Sequence, residues 1–191
     1  MQLTNDDFNI KMWFVKISAY RVKVGILFAL LYISFASPTY YSFIYGIPFI
    51  MLGEAIRIWA SGHIIKGLTL TVSGPYSYSR HPLYLGSIII AIGFTIIANS
   101  PIIIGLMILY FFFFYTPTIL KEETTLKEKF SESFSIYKEL VSLFISKENR
   151  WYLPGKFAPF KLSRFLHNRE YEFIIVIFII IIILFFKMKY F

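Results

Sequence analysis

The chain has no cysteine among its 191 residues. Disulfide staples, thiolate metal sites and cysteine nucleophiles are therefore excluded. Histidine is scarce as well. There are three, none at ligand spacing from another, so no metal site is expected. Charge is the third scarcity: Asp, Glu, Lys and Arg make up 16% of the chain, against about a quarter in a soluble domain. Hydrophobic residues reach 57%, and the mean hydropathy is +0.65. Such a chain cannot cover itself with polar surface, so bilayer is its expected solvent. Residues 1–23 are polar and basic, with no apolar stretch leading to a small-residue cleavage site, so no cleavable signal peptide is expected. The length suits a single integral-membrane domain over 1–191.

What the chain has in quantity is apolar runs. Five segments stand out: Val24–Ala36, Phe43–Ala60, Leu83–Ala98, Pro101–Pro117 and Phe173–Phe186. The first continues toward Tyr45 only if the chain bends or breaks at Pro38. Several runs fall short of the ~20 residues a straight crossing needs, so interfacial Tyr, Trp, Lys or Arg must extend them. The third and fourth runs are joined by Asn99-Ser100-Pro101, which predicts a short antiparallel hairpin. Gly86, Gly93 and Gly105 are read as packing positions there. The expected fold class is all-α: a multi-pass transmembrane bundle of about five segments with a cytosolic amphipathic helix.

The net charge is +8. Basic residues sort the connections. Lys11, Lys16, Arg21 and Lys23 precede the first run; Lys66 and Arg80 follow the second; a basic stretch from Lys121 to Arg169 follows the fourth. The Ser37–Ser42 connector and the Asn99 turn carry no charge. This alternation places the N-terminus, the Ser61–Pro82 loop and the Thr118–Glu172 region on the cytoplasmic face. Lys187 and Lys189 then fall on the opposite face if the last run spans; otherwise that run is re-entrant. Aromatic residues sit within the apolar runs rather than among the basic ones, so the partner expected is membrane, not nucleic acid. Beyond the fourth run, Leu126, Phe130, Phe134, Tyr137, Leu140, Val141 and Phe144 draw one apolar stripe, as in a helix lying along or capping the bundle.

Three charged features could carry chemistry. Glu54 and Arg57 share one helix face, as a self-neutralising pair or as the wall of a polar cavity. "GPYSYSRHPLYLG", Gly74–Gly86, holds a turn signal and then Arg80-His81-Pro82. Pro82 suits a first helical turn, which leaves Arg80 and His81 at a helix mouth that attracts anions, or as anchors among lipid heads. Glu122-Glu123 follows the fourth run on the same expected face, either solvated or suited to a cation. A ligand with both a carboxylate and a positive centre fits between these clusters. S-adenosylmethionine is one, and Tyr76, Tyr78 and Tyr84 offer rings to its adenine or sulfonium.

"GPYSYSRHPLYLG" with the downstream "EE", preceded by "RIWASGHIIKGLTLTVSGPY", resembles the signature of membrane-embedded methyltransferases. That group includes isoprenylcysteine carboxyl methyltransferase and the phospholipid N-methyltransferases. The resemblance covers roughly Gly53 to Phe160 and leaves the last helix, 172–187, outside. It implies a cytosol-facing pocket for S-adenosylmethionine and a lipid or lipidated acceptor entering laterally. Cofactor contacts map onto Leu68, Thr69, Leu70, Thr71, Tyr76, His81, Pro82, Leu83, Tyr84, Glu122 and Glu123, with Glu122 the stronger of the two carboxylates. Arg80 is the implied catalytic residue, orienting either a substrate oxyanion or the cofactor carboxylate. The chain departs from the carboxyl methyltransferases at Thr118, where they carry an arginine, and at Leu68, where they carry a histidine. Methyl transfer to either a carboxylate or an amine therefore stays open. A sterol-type reductase using NADPH and a non-catalytic membrane scaffold are the competing readings.

Overall fold

The computed structural model describes residues 25, 27–65, 67, 69–146 and 158–190. It is helical, as expected. Helix α1 covers 27–35, α2 Tyr40–His63, α3 Pro82–Ala98, α4 Pro101–Tyr110, α5 Thr116–Leu140, α6 Leu162–His167 and α7 Glu170–Tyr190. Among the described residues, three helical stretches are long and apolar enough to cross a membrane, Tyr40–His63, Pro101–Leu140 and Glu170–Tyr190, and α3 is a shorter apolar helix. The chain is an integral membrane protein.

The chain breaks at Pro38 rather than bending. Thr39 caps α2: its Oγ1 accepts from the Ser42 N–H at 3.1 Å, while the Thr39 N–H donates to Ser42 Oγ at 2.8 Å. That reciprocal cap starts α2 at Tyr40, ahead of the expected Phe43, and the helix runs through Pro48 to His63. Asn99 ends α3 in the left-handed conformation at φ 47°, and Pro101 opens α4.

The expected end of the fourth run at Pro117 is corrected. The helix does not stop there. Proline has no N–H to give the preceding turn, and the chain absorbs this with a π-helical turn over Phe111–Tyr115, in which Thr116 N–H bonds to Phe111 O. Helix then continues as α5. The amphipathic stretch is thus the extension of the fourth run, bent at Ser131, whose φ and ψ are 42° and −111°. Lys138 Nζ reaches Glu123 Oε2 at 2.8 Å. In a straight helix those residues would stand ~22 Å apart along the axis, so the chain must fold back at Ser131. The folded-back stripe buries Phe134, Tyr137 and Val141 against Leu70 and Val72 of the loop after α2.

The glycines expected to serve the α3–α4 hairpin serve α2 and α3 instead. A Cβ on Gly53 would lie 2.5 Å from Gly86 O, and one on Gly46 would lie 2.6 Å from Gly93 O. The two backbones touch at both levels, as small residues permit in lipid. A Cβ on Gly105 would meet nothing within 4 Å.

One end of the bundle is tied by Ser37 N–H to Ala98 O at 2.7 Å and Ser42 Oγ to Ile97 O at 3.0 Å. Lys187 joins the same end, donating to Ile33 O at 2.6 Å and Ser34 O at 3.0 Å. Its positive charge therefore sits on the C-terminal carbonyls of α1, which accounts for a lysine at the end of an apolar helix. Tyr32, Ile50, Ile90, Phe94, Ile97, Ile103, Ile177 and Leu184 fill the core between the helices.

Gly53→Val is expected to lower stability by about 1–3 kcal/mol or to prevent folding, because backbone carbonyl and helix cannot both yield. Gly105→Ala should be neutral or stabilising by up to ~1 kcal/mol, since it adds helix propensity in open space. Thermal unfolding of both variants in one detergent compares them.

Candidate active site

The loop after α2 and the mouth of α3 are built by cross-links from distant chain. Arg80 N–H donates to Ser142 O and His81 N–H to Leu143 O, at 3.1 and 3.3 Å, while Ser146 N–H donates to Tyr78 O at 2.8 Å. Tyr137 OH donates to Tyr76 O at 2.7 Å. The folded-back end of α5 therefore clamps Tyr76–His81 from outside. Within the loop, Gly74–Ser77 forms a short 3-10 turn and His81 immediately precedes α3, as its sequence predicts.

Arg80 and the double glutamate do converge. Arg80 Nη1 lies 2.6 Å from Glu123 Oε1. His81 Nδ1 lies 3.8 Å from Glu122 Oε2, and Nε2 lies 3.6 Å from Glu123 Oε1. The two carboxylates do not behave alike. Glu123 is buried, shared between Arg80 and Lys138, and does not line the main cavity. Glu122 is half-exposed on the cavity wall. Burial lowers the pKa of His81, against the pull of Glu122 and Glu123, so its ring is held neutral. Burial also raises the phenol of Tyr76 well above its ordinary value and keeps it protonated.

Tyr76, Arg80, His81, Pro82, Leu83, Tyr84 and Glu122 line one cavity of about 750 Å³. Thr69, Leu70 and Thr71 line a second, of about 270 Å³, which shares Ile64, Tyr76, Arg80 and Glu122 with the first. Leu68 lies outside the described residues. Tyr78 lines neither; it is exposed beside Trp59, their rings 6.5 Å apart. The polar groups suit a ligand with charge of both signs. Tyr76 Oη, Thr69 Oγ1 and Arg80 Nε are buried without a hydrogen-bond partner, Glu122 offers a carboxylate, and Tyr84 and Tyr115 present rings 5.6 Å apart.

The Glu54–Arg57 pairing is corrected. Arg57 Nη2 bonds Glu170 Oε2 of α7 at 2.5 Å, and Nη1 donates to Ser87 Oγ at 2.6 Å. Its guanidinium stacks on Phe173, 3.9 Å from the ring centroid. Both carboxyl oxygens of Glu54 are buried without a hydrogen-bond partner. Arg57 and Glu170 both line the main cavity, so the polar-wall alternative holds for Arg57. Sequence reading missed Glu170, Ser87, Tyr110, Phe114, Tyr115 and Phe173 on that wall. The one available signal was an acidic residue opening the last apolar helix.

A third, mostly apolar cavity of about 330 Å³ runs between α1, α3, α4 and α7, and it meets the main cavity at Ser87, Tyr110, Tyr115 and Phe173. The site thus joins a more polar compartment to a greasy one inside the bundle.

The chain is thus a helical membrane protein whose polar cavity joins an apolar one inside the bundle. The sequence profile of the phospholipid methyltransferase family matches residues 25–133, more than half of the chain. The chain belongs to that family. It is 31% identical over 112 residues to protein-S-isoprenylcysteine O-methyltransferase of Saccharomyces cerevisiae, which covers 52% of this chain and 47% of the relative. It is 31% identical over 103 residues to cobalt-zinc-cadmium resistance protein CzcN of Cupriavidus metallidurans, covering 51% and 47%. It is also 31% identical over 78 residues to nickel-cobalt-cadmium resistance protein NccN of Alcaligenes xylosoxydans xylosoxydans, covering 40% and 37%. The chain spans about half the length of the first two of these relatives. No solved structure matches. The family expected from Arg80-His81-Pro82 and Glu122-Glu123 is thus borne out.

Glu123→Ala should cost about 3–5 kcal/mol, because it strands Arg80 with no counter-charge. Lys138→Met should cost under ~1 kcal/mol, since that lysine is 53% exposed. Equilibrium unfolding in mild detergent separates the two. Stability should also fall as pH drops below 6.5, the ordinary histidine value, toward the lowered value of His81 in the fold. The unfolded chain takes up that proton first, so protonation there favours unfolding. His81→Gln should flatten this part of the stability profile; an unchanged slope would show that His81 is not its source.

Proposed function

We propose that the protein transfers a methyl group from S-adenosylmethionine to a membrane-embedded acceptor, a prenylcysteine-like carboxylate or a phospholipid amine. The observation that carries this reading is the meeting of the two compartments at Ser87, Tyr110, Tyr115 and Phe173. A charged cofactor and an apolar acceptor need different solvents, and this cavity pair supplies both side by side.

Thr69, Leu70, Thr71, Tyr76, His81, Pro82, Leu83, Tyr84 and Glu122 are the groups that would hold the cofactor, and Arg80, which lines both of these cavities, would orient the cofactor carboxylate or a substrate oxyanion. When bound, it supplies a sulfonium methyl whose S–C bond breaks as the acceptor's O–C or N–C bond forms, leaving a neutral thioether. Glu122 offsets positive charge at the wall. Tyr84 and Tyr115 provide ring faces that suit a cation without hydrating it. Tyr110, Phe114 and Phe173 keep water from the reacting centre. The protein's share is positioning and desolvation. A carboxylate acceptor needs no base. An amine acceptor must lose a proton, and neutral His81 is placed on the cavity wall to accept it.

The basic connections support a cytoplasmic mouth. Glu123, through Arg80 and Lys138, serves as a positioning residue for Glu122 and His81 rather than a ligand of its own. The whole chain acts as one domain, because α7 contributes Glu170 and Phe173 to the same wall.

Calorimetry with S-adenosylhomocysteine on the solubilised protein should give saturable heat, weakened about tenfold or more in Glu122→Gln by loss of a charged partner. Absence of binding to the unsubstituted protein, with NADPH raising its melting temperature instead, would sink the assignment. Labelled S-adenosylmethionine and a native lipid extract then identify the acceptor by chromatography.

A further inference from the structure

A methyl acceptor with an apolar tail must place its reacting group where the polar and apolar compartments meet. Four residues form that junction: Ser87, Tyr110, Tyr115 and Phe173. Arg57 engages two of them, donating to Ser87 Oγ at 2.6 Å and stacking on the Phe173 ring at 3.9 Å. The other cavity arginine, Arg80, is neutralised from behind by Glu123, which does not line the main cavity. Arg57 is neutralised instead by Glu170, on the cavity wall itself.

The charges at the junction are not evenly matched. Glu170 opens α7, so its carboxylate is held by Arg57 and by the partial positive charge of the helix start. On the wall beside Ser87 and Phe173 two positive sources thus face the one carboxylate of Glu170, while Glu54, off that wall, interacts electrostatically with both Arg57 and Glu170. The guanidinium also has donors to spare: it bonds Ser87, the Leu83 carbonyl at 3.4 Å and one Glu170 oxygen, and its Nε is buried without a hydrogen-bond partner. Thr118, on the same wall, turns its hydroxyl onto Phe114 O at 2.6 Å and brings no charge. Glu54, one turn before Arg57, does not line the cavity.

We propose that Arg57 is an acceptor-specificity residue whose guanidinium binds an anionic group, a carboxylate or phosphate oxygen, carried by the acceptor beside the methylated atom. This rests on the methyl-transfer reading and deepens it. A planar guanidinium pairs such groups through two parallel hydrogen bonds. It also disfavours an acceptor lacking the anion, because the spare N–H donors of the guanidinium, buried Nε among them, then stay unpaired. The two acceptor chemistries share this feature. A prenylated cysteine carries the anion as the methylated group, and phosphatidylethanolamine carries it next to the amine.

The test uses the full chain in lipid nanodiscs with labelled S-adenosylmethionine and three acceptors: an S-prenylated cysteine, phosphatidylethanolamine, and a long-chain primary amine without an anion. Arg57→Gln should raise the KM of whichever anionic acceptor is methylated by ~10- to 100-fold, with kcat changed less and S-adenosylhomocysteine affinity unchanged. Arg57→Lys should recover part of that loss. The double variant Arg57→Gln with Glu170→Gln removes the stranded carboxylate and so tests for a merely structural pair. It should remain as impaired as Arg57→Gln. Recovery of the original KM in the double variant overturns the proposal, as does methylation of the simple amine on equal terms with phosphatidylethanolamine. If S-adenosylhomocysteine does not bind and no acceptor is labelled, the methyl-transfer reading falls and takes this inference with it.

Discussion

The buried carboxylate of Glu123 is the constraint on which the site depends. It sits within ion-pair distance of Arg80 before α3 and Lys138 past the bend in α5. Three stretches far apart in sequence are thereby fixed to one point. A carboxylate this buried is costly without partners, and the partners would be costly without it. The neighbouring Glu122 is then presented to the cavity by helix geometry alone, since adjacent residues point different ways. His81 is trapped between the two carboxylates and kept neutral by burial. One ionic knot thus decides which acid faces the cavity and which holds the frame.

A second principle is the division of solvents. At one end the bundle carries charged side chains, carbonyl-bound loops and tyrosines; further in it offers aliphatic walls from α1, α3, α4 and α7. Gly46 and Gly53 let α3 pack backbone to backbone on α2, and the apolar cavity lies where α3 faces α1, α4 and α7. The π-helical turn at Phe111–Tyr115 contributes by widening the helix where Tyr110, Phe114 and Tyr115 reach the cavity. Proline chemistry at Pro117 and site geometry are thus one feature seen twice.

Part of the main cavity's wall comes from α2, α3 and α7. Family resemblance leads to the part of the cavity where the Arg80-His81-Pro82 and Glu122-Glu123 motifs lie. The opposite wall is assembled from Arg57, Ser87, Glu170 and Phe173, of which Glu170 and Phe173 fall beyond the matched region 25–133.

Read alone, the residues settle whatever follows from local chemistry and periodicity. Apolar runs in a cysteine-free, charge-poor chain specify a helical membrane bundle. Pro82 and Pro101 mark helix starts, and Pro38 marks a break, because missing N–H groups act on the nearest turn. Local motifs also identified Tyr76, His81, Tyr84 and Glu122 as candidate site residues. Partner choice across long separations was not legible. Glu54 stands one turn from Arg57, yet Arg57 pairs with Glu170, since helix packing rather than spacing chooses which side chains share a buried space. The same holds for the reversal at Ser131 and for the glycines that face α2 instead of α4. Backbone propensity acts within a few residues, whereas charge pairing and close packing act between surfaces that exist only once the chain has folded.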